Sequence, residues 1–86
     1  MTPQSAEELA LKALGFLANS PDNLDAFLAT TGINDLELRE RAEEPVVLAA
    51  VLDFMLRNEQ LLIDFCDGAS IRARDVHVAH HVLSDQ

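Results

Sequence analysis

The chain has no tryptophan or tyrosine, one cysteine, three glycines and only six basic residues among its 86. Each scarcity removes an explanation. A lone cysteine, Cys66, rules out an internal disulfide, and its apolar helical setting reads as a packed, reduced thiol. Its acidic neighbours Asp64 and Asp67 oppose thiolate formation, so a nucleophilic role is not expected. Gly15, Gly32 and Gly68 are too dispersed to form a phosphate-cradling loop. Six basic residues against fifteen acidic ones, a formal charge of −9, leave no basic patch for nucleic acid or an anionic membrane surface. The longest apolar run, Pro45 to Leu56, is interrupted by Asp53 and is too short to cross a bilayer. The opening Met1-Thr2-Pro3-Gln4-Ser5 lacks the basic start and apolar stretch of a signal peptide, so a cytoplasmic protein is expected. No run alternates polar and apolar residues over a useful length, so strands are not expected.

What is present is an internal likeness. Hydrophobic residues make up 49% of the chain, enough to exclude global disorder. Shifted by 38 positions without a gap, Leu14 meets Leu52, Phe16 meets Phe54, Leu24 meets Leu62, Phe27 meets Phe65 and Ile33 meets Ile71. Leu9 with Val47, Ala13 with Val51, Leu17 with Met55, Leu28 with Cys66 and Leu38 with Val76 are conservative matches. A repeat of this period is one supersecondary unit used twice, neither copy able to bury its apolar face alone. The expectation is an all-α fold: one helical domain over residues 1–86, a compact bundle of five or six short helices. The half-repeats span about 3–42 and 44–83 and are related by a pseudo-two-fold axis. At this length roughly 60–65% of the unfolded chain's surface is buried on folding, a modest core that dimerisation would support.

Local signals place the helices. Thr2-Pro3 and Ser5-Ala6-Glu7-Glu8 are helix-start chemistry, and Leu9, Ala10, Ala13, Leu14, Phe16 and Leu17 recur at helical spacing to about Ala18. Ser20-Pro21-Asp22 restarts a helix carrying Leu24, Phe27 and Leu28, which Gly32 ends as a left-handed cap. Asn34-Asp35-Leu36-Glu37 opens a short third helix to about Ala42, thin in apolar content. Pro45 begins the fourth, the most apolar and the expected centre of the core. Asn58-Glu59 caps a fifth, with Leu61, Leu62, Phe65 and Cys66, ending at Gly68. Ser70 or Ile71 opens a sixth, to about Leu83. Ile33 and Ile71, just past helix ends, are expected to fold back onto the last turn.

Two groups of residues carry possible chemistry. His77, His80 and His81 sit on one short helix, and a histidine pair one turn apart can bind zinc. No Cys-x-x-Cys or second histidine pair completes four ligands, and histidine near a helix C-terminus also suits the dipole. Asp53 interrupts the most apolar helix. It is either a site carboxylate in a pocket or the partner of Arg57, one turn on, or of Arg39. Glu43-Glu44 before Pro45 is helix-start chemistry. No nucleophile–base–acid set is readable, so no catalytic residue and no cofactor are assigned.

Leu14-Gly15-Phe16-Leu17-Ala18, then Ser20-Pro21-Asp22-Asn23-Leu24, Phe27-Leu28 and Thr31-Gly32, form one pattern. Leu38-Arg39, Pro45, Ala50-Val51-Leu52-Asp53-Phe54-Met55-Leu56, Glu59, Leu61-Leu62 and Phe65-Cys66 continue it. Together these strings resemble a bacterial, mainly alphaproteobacterial, domain-of-unknown-function family, number 3572. The likeness runs from about Ala10 to Ile71. It implies a small all-helical cytoplasmic protein and supplies no activity, substrate or catalytic residue. The last helix departs from the family's Ala/Arg-rich ending.

The functional expectation is a protein-interaction, adaptor or regulatory module that binds a partner protein or its own copy. The alternative is a small-molecule or metal-binding protein using Asp53 or the His77, His80 and His81 cluster. In Val46-Val47-Leu48 and Leu61-Leu62-Ile63, three adjacent apolar residues cannot all face one side of a helix. Val46, Leu48, Leu61 and Ile63 are therefore the candidate contact surface. Glu43, Glu44, Glu59 and Asp64 would form a rim that selects basic residues on the partner.

Overall fold

The computed structural model describes residues 1–85 and contains six helices and no strand among them. They are α1 (Pro3–Ala18), α2 (Pro21–Thr31), α3 (Asp35–Arg41), α4 (Pro45–Leu56), α5 (Glu59–Ala69) and α6 (Ala73–Ser84). Side chains close three of the six starts. Thr2 Oγ1 accepts from the Ser5 amide at 3.1 Å, Asn34 Oδ1 from Glu37 at 2.8 Å and Asn58 Oδ1 from Leu61 at 3.3 Å. Each satisfies an amide that the helix itself cannot. The first cap is therefore Thr2, ahead of the Ser5 pattern. At α2 the serine cap makes no such bond; Pro21 removes one amide instead, and Ser20 Oγ accepts from the Asn23 side chain at 3.1 Å.

Two helix ends differ from expectation. α5 runs past Gly68 to Ala69, and the left-handed residue is Ser70, with φ 56° and ψ 42°. Gly32, at φ 76°, does end α2 as expected. α6 begins later, at Ala73 with Arg72 as cap, because the chain after Ser70 first turns Ile71 onto the core. Ile33 does the same after α2. The bounds of α2 and α5 lie 38 residues apart at both ends, as do the ends of α1 and α4 and the starts of α3 and α6.

The core is one continuous cluster. Ala6, Leu9, Ala10, Ala13 and Leu17 line α1; Val47, Leu48, Val51, Leu52 and Met55 line α4; Val76, Ala79 and Leu83 line α6. α2 adds Phe27, α3 adds Leu38, and α5 adds Leu61 and Phe65. The alanines bring α1 close to its neighbours, and α6 lies along both α1 and α4. Among the described residues α3 makes no extended backbone-level contact with another helix. The aromatic rings pack across the halves. Phe16 of α1 meets Phe65 of α5, and Phe54 of α4 meets Phe27 of α2, each with centroids 5.6 Å apart. Tilted and edge-on contacts of this kind contribute about 0.5–1.5 kcal/mol beyond burial.

Candidate functional site

Asp53 and His80, far apart in sequence, come together. Arg57 Nε donates to Asp53 Oδ2 at 3.0 Å along α4, and His80 Nε2 of α6 lies 3.9 Å from Asp53 Oδ1. Thr30 and Thr31 at the end of α2, with Ala50 and Phe54, complete a cleft of about 270 Å³. The Arg57 and Asp53 side chains are 77% and 44% exposed. Their pair is thus solvated and worth at most about 1 kcal/mol. Arg39, the other expected partner of Asp53, is held by Asp35 within α3 at 3.2 Å. The cleft offers a carboxylate acceptor and free guanidinium N–H groups, enough to hydrogen-bond a small polar molecule; His80 approaches the carboxylate but does not line the cleft. Thr31 Oγ1 already donates to the Phe27 carbonyl at 2.8 Å. Among the described residues no buried side-chain polar atom lacks a partner.

The three histidines part company. His80 turns to Asp53, His77 is exposed, and His81 faces Asp85 at 3.3 Å in open solvent. Among the described residues no three His, Cys, Asp or Glu side chains stand close enough to hold a metal. One helix can aim its histidines at a common ion only if a neighbouring helix supplies further ligands, and α6 meets α1 and α4 through its apolar face.

Cys66 is half-buried on α5. Burial pushes its thiol pKa up, and the charges of Asp67 and Asp75 push it further. Asp75 of α6, not Asp64, is the second acid acting on it. On the surface, Arg41 grips Glu44 through three hydrogen bonds of 3.0–3.1 Å, which lowers the pKa of that carboxyl and closes the turn between α3 and α4.

The four candidate contact residues divide evenly. Val46 and Ile63 are 63% and 44% exposed, whereas Leu48 and Leu61 are 0% and 4% exposed. Leu48 and Leu61 belong to the core and cannot present a surface. At about 100° per residue, a helix that turns the last of one apolar triplet and the first of the other inward must turn Val46 and Ile63 out. Val46 borders a depression of about 260 Å³ with Pro45, Ala49 and Leu83.

A second groove was not anticipated. Leu14 and Ala18 of α1, Leu24 of α2, and Asp35, Leu38, Arg39 and Ala42 in and after α3 enclose about 340 Å³. Beside it in sequence, Leu36 is 63% exposed. The signal was available: Leu36 and Leu38, two positions apart on a helix, point to nearly opposite sides. The repeat offered another. Ala18 and Ala42, which line the groove, stand at the positions matched by the larger Leu56 and His80.

Among the described residues no helix is long and apolar enough to cross a membrane. No curated protein and no solved structure matches the chain. The model of the family described as "Protein of unknown function (DUF3572)" matches residues 3–86; the chain belongs to that family.

Proposed function

We propose, starting from membership in a family whose description names no activity, that the protein is a small cytoplasmic interaction module that binds another protein without catalysing a reaction. The observation that carries this reading is the open apolar groove between α1, α2 and α3. It is reinforced by Leu36 and Val46, each 63% exposed on so small a molecule. Apolar side chains left outside a closed core, with an acidic surface around them, are the composition of a docking face. The experiment is affinity capture with cross-linking from the cells that make the protein, using the wild type, Ala18→Arg and Val46→Asp. A specific partner, lost with one of these variants while circular dichroism stays unchanged, is the expected result. Absence of any protein above the control would defeat the reading.

A second reading rests on the approach of His80 to Asp53, a residue that lines the Thr30–Arg57 cleft. There the protein would bind a small polar molecule through Asp53, Arg57 and His80. Native mass spectrometry of the purified protein separates the two: a bound small molecule lost in Asp53→Asn favours this one.

A further inference from the structure

Resting on the interaction reading, we propose that the groove of α1, α2 and α3 is a docking site for one kind of partner. That partner is an amphipathic helix of another protein, with an apolar stripe flanked by lysine or arginine. The shape argument comes from the molecule's own second half. There Leu52 is fully enclosed and α6 lies directly on α4. In the first half Leu14, at the matched position, is only half-buried, and α3 stands off from α1. The space between is lined by Leu14, Ala18, Leu24, Leu38 and Ala42. Its walls are two helices and a short third, the setting in which apolar anchors at helical spacing are taken up. Convergent polar groups, the mark of a small-molecule site, are missing: the two polar liners, Asp35 and Arg39, neutralise each other at 3.2 Å.

Charge selects the occupant. Arg39 is the one cation on the lining, and Asp35 holds it. Asp25, Glu40 and Glu43 directly follow the lining residues Leu24, Arg39 and Ala42; all three are exposed. Among the described residues none of the three is within salt-bridge distance of a cation. Exposed carboxylates next in sequence to the lining, on a chain of net charge −9, favour cationic side chains on the occupant and disfavour a second copy.

The test uses the full chain, labelled with nitrogen-15, and two synthetic helical peptides. Both carry leucine at i, i+3, i+4 and i+7; lysine flanks the stripe in one and glutamate in the other. The expected result is binding of the lysine peptide with amide shifts at Leu14, Ala18, Leu24 and Ala42, and binding of the glutamate peptide at least about tenfold weaker. Ala18→Leu puts into the groove the side-chain type found at the matched position, Leu56, and leaves charge unchanged. It should weaken the lysine peptide by a similar factor without lowering thermal stability. Ala49→Leu, in the Val46 depression, should leave binding intact. No binding, shifts centred on Val46 or Asp53, or indifference to Ala18→Leu would each overturn the groove assignment. Equal affinity for the glutamate peptide would overturn the partner's chemistry. Groove shifts that appear on concentrating the protein alone, with a dimer in sedimentation, would replace the partner with a second copy. If the peptides fail while cellular capture succeeds and depends on Val46, the interaction reading stands and this site falls.

Discussion

α3 and α6 start 38 residues apart, and their matched residues Leu38 and Val76 are both buried. Beyond that point their fates diverge. α6 runs for 12 residues along both α1 and α4, adding Ala79 and Leu83 to the core; α3 stops after seven and buries Leu38 alone. The matched positions show why. Where α6 has Ala79, α3 has Arg41, and where α6 has Leu83, the first half has Pro45, which already begins α4. The surface formed by α1 and α4 takes one helix along its length. Burying Leu83 is worth about 1.5–3 kcal/mol. Burying Arg41 would instead require stripping water from a charge. α6 therefore occupies the place, and α3 is left as the outer wall of the groove. Two units of similar sequence thus have different surroundings, and the open site follows from that difference.

The largest expected contrast lies between those two helices. Leu83→Ala should cost about 2–5 kcal/mol in chemical denaturation, through lost transfer energy and a cavity. Leu36→Ala should stay within about 0.5 kcal/mol. Equal losses would mean that α3 is as deeply packed as α6.

Leu52→Ala and Leu14→Ala carry the contrast into α4 and α1. The first should also cost about 2–5 kcal/mol and the second less than half as much, because Leu14 borders open space. A cost for Leu14→Ala matching that for Leu52→Ala would show the groove to be closed in solution.

The aromatic pairs sharpen the comparison where the halves agree. Double-mutant cycles on Phe16 with Phe65 and on Phe54 with Phe27 should give similar coupling, about 0.5–1.5 kcal/mol each. A pseudo-two-fold relation requires this reciprocity, and it requires residues 9–33 to superpose on 47–71. Coupling in one pair alone would confine the relation to sequence.

Helix starts should differ more finely. Asn58→Ala is expected to cost about 1 kcal/mol, because Leu61 loses its amide partner. Ser20→Ala, with no cap bond to lose, should cost under about 0.5 kcal/mol. Reversed costs would show that the α2 cap forms in solution.

The smallest effect is at Cys66. Folding raises its thiol pKa, so the folded state holds the proton more firmly than the unfolded chain. This contribution to stability is complete below the unfolded thiol's pKa and is lost as pH rises through the folded one. Reaction with a disulfide reagent at mildly alkaline pH should be slower in the folded protein than in urea. Equal rates would place the thiol in open solvent.

The sequence alone determined the helices and most of their ends, since caps, prolines and apolar spacing act within a few residues. It placed α4 at the centre, for a helix apolar on nearly every side needs cover on several. It also specified which anchors match across the two halves. Only tertiary structure decided that Leu48 and Leu61 face inward while Val46 and Ile63 face out. Each apolar triplet allowed several orientations, and neighbouring helices selected one. The same holds for the approach of His80 to Asp53, which rests on α6 lying against α4. The groove is the clearest case. Most of its residues were legible as apolar or small, yet its openness depends on α6 having taken the apolar surface that α1 and α4 share.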